Sequence, residues 1–180
     1  MAEVKNNVSE VRLFFGLLVA DEALFEPVEK RLSTDFGTVD LRSAIFPFTH
    51  TTYYNDEMGE KILRRYVSCE TLMHMDELPG VKLHTNRLEK LLCGPGTDKR
   101  RVNIDPGYLA LSKVVLATTK DYDHRLYLGQ GIFGEVTLTY KRNKGGYQPM
   151  PWTYPDYQEP QALDFFNSLR DRYKTQIRRT

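Results

Sequence analysis

The longest nearly unbroken apolar stretch of the chain is Val11 to Ala20, Val-Arg-Leu-Phe-Phe-Gly-Leu-Leu-Val-Ala. Its length and aromatic content predict a central strand buried on both faces, and Gly16 inside it marks a close backbone approach or a bulge. Asp21 is a good helix cap, and Leu24, Val28 and Leu32 recur every four residues, so a helix is expected up to Gly37. A second strand is expected from Val39 to Phe48, with Pro47 pushing its end toward an edge. His50 to Gly59 is polar and aromatic with neither period and reads as a loop. Ile62 to Cys69 alternates as a strand with Leu63, Val67 and Cys69 on one face. Counting by two puts Arg65 on that face as well, either as a buried guanidinium with an anionic partner or as a sign that the register is off by one.

A second helix is expected within Asp76 to Leu92, interrupted or started at Pro79-Gly80 and ended by Gly94-Pro95-Gly96. Asn86 and Glu89 stand at capping-box spacing, which allows a start as late as residue 86. A short strand follows at Val102 to Ile104, and Tyr108 to Thr118 fits a helix or a strand. Arg125 to Leu128 and Val136 to Tyr140 read as strands joined at glycines, and Lys141 to Gly146 as a turn-rich break. Gln148 to Gln161 carries four prolines with Trp152, Tyr154 and Tyr157, and a last helix from about Pro160 shows the stripe Ala162, Phe166, Leu169, Tyr173. No internal repeat is present. The first six elements run strand, helix, strand, strand, helix, strand. That order predicts an α+β fold with a ferredoxin-like split β-α-β core (βαββαβ), extended by a C-terminal antiparallel hairpin and helix. One domain over residues 1–180 is expected, with 1–8 flexible and 147–180 packed on the core.

Composition changes this picture little. A chain of 180 residues, 41% hydrophobic and 27% charged, supports one core and excludes wholesale disorder. The net charge of +1 conceals an acidic region, nine acids against three bases from Asp21 to Glu60, and a basic C-terminus, five against one from Arg170 onward. The basic end reads first as a helix terminus complementing its own dipole. Cys69 and Cys93 lack metal or redox spacing and read as small apolar side chains. With no signal-peptide pattern and no membrane-length apolar run, a cytoplasmic location is expected.

Candidate chemistry gathers between Lys99 and Glu135. If Arg101 to Asp105 is a strand, Val102 and Ile104 face the core while Arg101, Asn103 and Asp105 share the other face. Arg101 then suits an anion, Asn103 a ligand contact, and Asp105 a catalytic base or a Mg²⁺ ligand; the plainer reading is an Asp-Pro-Gly turn. Lys120, His124 and Arg125 fall within one polar connector with two threonines. Lys120 and Arg125 suit an anionic ligand, and His124 suits proton transfer near neutrality. Glu135 points the same way as Thr137 and is a third candidate catalytic group facing the cavity of Asp105.

Two apparent motifs fail. Gly129-Gln-Gly-Ile-Phe-Gly134-Glu-Val136 fits the kinase Gly-rich loop, but no His-Arg-Asp motif accompanies it and no helix pattern follows. Thr119-Lys120-Asp121 lacks the residue that the GTPase guanine motif needs between lysine and aspartate, and no Gly-x-x-x-x-Gly-Lys-Ser/Thr loop is present.

Phe46-Pro-Phe, Tyr53-Tyr54 with Met58-Gly59, Arg101-Val-Asn-Ile-Asp-Pro-Gly-Tyr-Leu109, Val115-Leu-Ala-Thr-Thr-Lys-Asp121, His124-Arg125 and Pro151-Trp-Thr-Tyr-Pro-Asp-Tyr157 together resemble a prokaryotic family, domain of unknown function 4416. The resemblance spans nearly the whole chain and implies no established activity or catalytic residues. The residues themselves lead to an expected enzyme or binding protein for an anionic, phosphorylated or nucleotide-like compound. Mg²⁺ is an open cofactor. The alternatives are an RNA-binding module using the basic C-terminal helix, and a protein–protein adaptor anchored by Trp152 to Tyr157.

Overall fold

Alternation along β1 (Val11–Val19) splits the protein into two layers around it. In the computed structural model, which describes residues 10–93, 96 and 99–178, all nine β1 residues are buried. Leu13, Phe15, Leu17 and Val19 face α1 (Phe25–Phe36) and α3 (Leu78–Leu91), whereas Phe14 faces α4 (Pro160–Gln176). The described residues form an α+β fold of nine strands and four helices, and every strand pairing is antiparallel. The main order is β2 (Val39–Arg42), β4 (Ile62–Met73), β1, β5 (Val102–Ala110), β6 (Lys113–Thr118), β8 (Ile132–Lys141) and β7 (Leu126–Gly129). β3 (Phe46–Phe48) adds to β4, and β9 (Gly146–Pro149) to β8.

Several expected elements take a different form. Val39 to Phe48 is two strands, because Ser43 leaves the ladder: its hydroxyl accepts the Tyr66 N–H at 2.9 Å. The polar loop at 50–59 contains one helical turn, α2 (Asn55–Met58), whose Met58 is buried with Leu18, Phe48 and Ile62. Pro79 sits in the first turn of α3, where its missing N–H costs nothing, so Asn86 and Glu89 lie inside the helix rather than at its start. Gly94 and Pro95 and residues 1–8 lie outside or at the limit of the described residues. The glycines at 129–131 make the tight turn expected, with Gln130 and Gly131 both at positive φ. Gly37 ends α1, its N–H donating to the Ser33 carbonyl.

β5 is the largest departure. It runs through Pro106 and Gly107 instead of turning at Asp105, and Tyr108 to Thr118 comprises the end of β5, a turn at Leu111-Ser112 and β6. β6 pairs with β5 only from Gly107 to Ala110, so Pro106, which has no N–H to give, stands where that ladder has not begun. Residues 102–106 pair with β1 alone, and Ala117 and Thr118 pair with β8 alone. The two strands therefore part below Gly107, and the gap between them opens as a cavity.

Gly107 is required for that hinge. A Cβ there would overlap the Phe14 ring and the Val115 carbonyl oxygen. Gly107→Ala is expected to destabilise the protein by about 1–3 kcal/mol through overpacking, read as a lower midpoint in urea unfolding at unchanged slope.

Candidate functional site

A cavity of about 680 Å³ fills the gap between β5 and β6. Asn103 and Asp105 from β5, Leu116 to Lys120 from the end of β6, and a polar stripe of α3 line it. That stripe, Lys82, Asn86, Glu89 and Lys90, recurs at helical spacing beside the apolar face of Leu78, Val81 and Leu88. From the opposite side the cavity is covered by the 50–59 segment and by Tyr154 to Tyr157.

Arg64 forms the floor. It is 2% exposed and its Nη2 donates to Asp156 Oδ2 at 2.5 Å. Its guanidinium lies over Gly16 and 4.8 Å from the centre of the Tyr66 ring, and a Cβ at residue 16 would press on it at 3.1 Å. Gly16 thus marks the approach of a side chain rather than of a backbone. Burial works against the charge on Arg64, but Asp156 and Asp105 outweigh it and hold the pKa above the ordinary arginine value. Nη1 lies 3.6 Å from Asp105 Oδ2 and has no hydrogen-bond partner, nor has Nε.

Asp105 is held from three sides. Lys82 Nζ donates to Oδ1 at 3.4 Å and also to the Ile104 carbonyl at 3.1 Å, while Asn103 Nδ2 donates to Oδ2 at 2.7 Å. This carboxylate does not cap turn amides. Its neighbours are cations and an amide N–H, which disfavour a divalent metal, and no cluster of three metal-ligating side chains occurs among the described residues. Glu89 Oε1 accepts the Ile104 N–H at 2.7 Å. Burial raises the Glu89 pKa, and Lys82 opposes that rise only in part. Above them, Tyr54 is pushed up by burial and by Asp105. Cys69 lies in the other layer, where burial raises its thiol to about 12, so it offers no nucleophile.

Of the seven side chains singled out in the sequence, Asn103, Asp105, Lys120 and Arg125 line the cavity. Arg101 does not; its neighbour Arg100 takes that place, donating to Asn103 Oδ1 at 3.3 Å. Glu135 does not reach the cavity either. Its side chain is fully buried and accepts Arg125 Nε at 2.7 Å, with His124 Nε2 at 3.2 Å. Asp105 and Glu135 nonetheless rise from the same sheet face, since Glu135 pairs with Leu116, which shares the α4 core with Leu109. His124 stacks on Trp152 at 5.2 Å. Arg125 is thereby aimed: Nη1 donates to the Lys120 carbonyl and Nη2 to the Tyr154 hydroxyl.

The remaining candidates are used inside the fold. Arg65 pairs with Glu29 of α1 at 2.9 Å and lies on the Phe25 ring, so the period-two register holds and the fully buried guanidinium is its neighbour. On the basic helix, Arg170 donates to the Leu111 carbonyl and lies on Tyr140, and Arg172 donates to the Asp40 carbonyl. Trp152 is half-buried and donates its N–H to the Val136 carbonyl. No helix among the described residues is long and apolar enough to cross a membrane.

Sequence reading missed Arg64, Lys82, Glu89, Arg100 and Asp156. The 82–86–89 recurrence was a usable signal, a polar stripe abutting an apolar one. Comparison with curated proteins gives no match, and comparison with solved structures gives none. A family model matches residues 9–173, and the chain belongs to the family described as domain of unknown function (DUF4416).

Proposed function

We propose that the cavity binds a small anionic compound, phosphorylated or nucleotide-like, and holds the groups for proton transfer to it. The observation that carries this reading is Arg64, a buried guanidinium lining the cavity whose Nη1 faces Asp105 at 3.6 Å but has no hydrogen-bond partner. A buried donor left unmatched is costly, and a ligand oxygen would satisfy it. Lys120 adds a cation at the mouth, over the Tyr53 ring at 4.4 Å, and Arg125 a third, fixed by Glu135. The cavity volume is in the range of small-molecule sites, and Phe48, Tyr54 and Tyr157 offer apolar surface to a ring.

Asp105 and Glu89 divide the acid–base work. Asp105, ringed by Lys82, Asn103 and Arg64, serves as the hydrogen-bond acceptor of the pair. Glu89, raised by burial, is the group poised to exchange a proton. His124 and Glu135 act through Arg125 as positioning residues. RNA binding has less support, because helices cover both sheet faces, Arg170 is held by the Leu111 carbonyl, and Arg172 is paired with Asp40 at the surface. The half-buried indole of Trp152 likewise reads as packing rather than as an adaptor anchor. For the fold, the order β2-β4-β1-β5, with α1 and α3 as crossovers on one face, supports reading these elements as the split β-α-β core.

A thermal-shift screen against nucleotides and phosphorylated metabolites, with and without Mg²⁺, tests the binding claim. A ligand at a hundred times its dissociation constant is expected to add about 2.7 kcal/mol, a shift of several degrees. Arg64→Lys keeps the charge but loses the fork, and is expected to weaken that ligand by about tenfold or more. No shift from any compound with the wild-type chain would remove the reading.

Glu89 carries a pH signature. A carboxyl whose folded pKa is raised favours the fold while protonated, so its contribution is fully present below the ordinary value of 4.5. It is lost as pH rises from there through the raised value. The unfolding free energy of Glu89→Gln relative to wild type is therefore expected to increase with pH across that window; a flat difference would show that Glu89 titrates normally.

A further inference from the structure

Arg100 stands at the cavity wall with its guanidinium already gripping a carboxylate. Nε donates to Glu57 Oε2 at 2.5 Å and Nη2 to Glu57 Oε1 at 3.1 Å, a side-on fork of the kind that binds a carboxylate or phosphate. Nη1 of the same group reaches inward to Asn103, which is linked to Asp105. Glu57 belongs to the 50–59 segment across the mouth and is 40% exposed. That segment is not held by Glu57 alone, because Met58 is buried with Leu18, Phe48 and Ile62.

We propose that Glu57 is a built-in stand-in for the ligand: its carboxylate occupies the subsite at Arg100 that an anionic group of the ligand takes when it binds. This rests on the anionic-ligand reading above and adds where the anion sits and what it displaces. Arg100 is the cavity cation presented as a bidentate fork to an exposed, displaceable anion. Asp156 on Arg64 and Glu135 on Arg125 are buried and stay in place. Hydrogen bonding from Arg100 keeps the Glu57 carboxyl below its ordinary value, so at neutral pH the competitor is charged. An entering phosphate or carboxylate exchanges one ion pair for another, and the released Glu57 swings into solvent. The 50–59 segment loses one latch while Met58 keeps it docked.

Removing the competitor must then tighten binding, the opposite of what loss of an ordinary contact residue does. Full-length wild type, Glu57→Gln, Arg100→Gln, Arg100→Lys, Arg64→Lys and the double variant Glu57→Gln/Arg100→Gln are titrated with inorganic phosphate, followed by calorimetry and by thermal shift. Exposed ion pairs are weak competitors, so Glu57→Gln is expected to bind phosphate about two- to five-fold more tightly. Arg100→Lys is expected to bind more weakly and Arg100→Gln weakest, with the double variant Glu57→Gln/Arg100→Gln matching Arg100→Gln. Unchanged or weaker binding by Glu57→Gln overturns the proposal. Phosphate binding that survives Arg100→Gln but falls with Arg64→Lys overturns this subsite while leaving the ligand reading in place. Absence of phosphate binding to both wild type and Glu57→Gln overturns the two together.

Discussion

The buried guanidinium of Arg64 is the interaction on which both the fold and the site depend. It ties β4 to the C-terminal segment through Asp156, to β1 through the missing side chain of Gly16, and to β5 through Asp105. Tyr66 completes the knot by donating its hydroxyl to Asp156 Oδ2 at 3.1 Å. Removing one member of such a buried pair costs about 3–5 kcal/mol, because the charge left behind has no water to turn to. Replacing a whole buried pair by apolar groups is, by contrast, often neutral, so the pair is a weak source of net stability. Keeping a charge there, with Nε and Nη1 both unmatched, is consistent with the binding role proposed for it.

The cavity follows from a local failure of pairing. A continuous β5–β6 ladder would close the sheet and leave α3 facing a sealed surface. Pro106 withholds one donor, and Gly107 lets the Phe14 ring and the β6 backbone crowd against the strand, so the two strands part. Lys82 and Glu89 then reach into the gap from the helix and satisfy the carbonyl and N–H of Ile104, which have become accessible there. Polar groups are thus drawn into the middle of the protein by backbone atoms that need partners. The chemistry of the site is a by-product of that requirement.

How much of this the sequence announced depends on the reach of the signal. Local periodicity was enough for β1, α1 and α4, where Val28, Leu32, Phe166 and Leu169 lie where their spacing puts them. It also sufficed for the glycine turn at 129–131, which local φ preferences decide. It was insufficient for β5, because Asp-Pro-Gly is ordinarily a turn and only the neighbouring β1 ladder carries the strand through it. Among the site residues, Asn103 and Asp105 were legible from two-residue alternation, and Arg125 from its charged setting. Arg101 was chosen over Arg100 because alternation alone cannot tell where a strand begins. Arg64 was hidden for a different reason: its partner is Asp156, distant in sequence, and no local pattern encodes that contact.

The charge balance of the cavity narrows what it can hold. Six basic side chains line it, but Arg64, Lys82, Arg100 and Arg125 each already face a carboxylate: Asp156, Asp105, Glu57 and Glu135. The field inside is therefore modest, and a polyanion would meet repulsion from carboxylates it cannot displace. A compound with one anionic group fares better. On the proposed reading it exchanges with the exposed Glu57 carboxylate, while Asp105 offers an acceptor to its hydroxyl or amino groups. Paired charges in a low-dielectric pocket are also pre-oriented, so little reorganisation accompanies binding. If the proposed reading holds, the same pairing that limits total charge favours a ligand presenting acceptors and donors together, a single phosphate or carboxylate on a body rich in hydroxyl or amine groups.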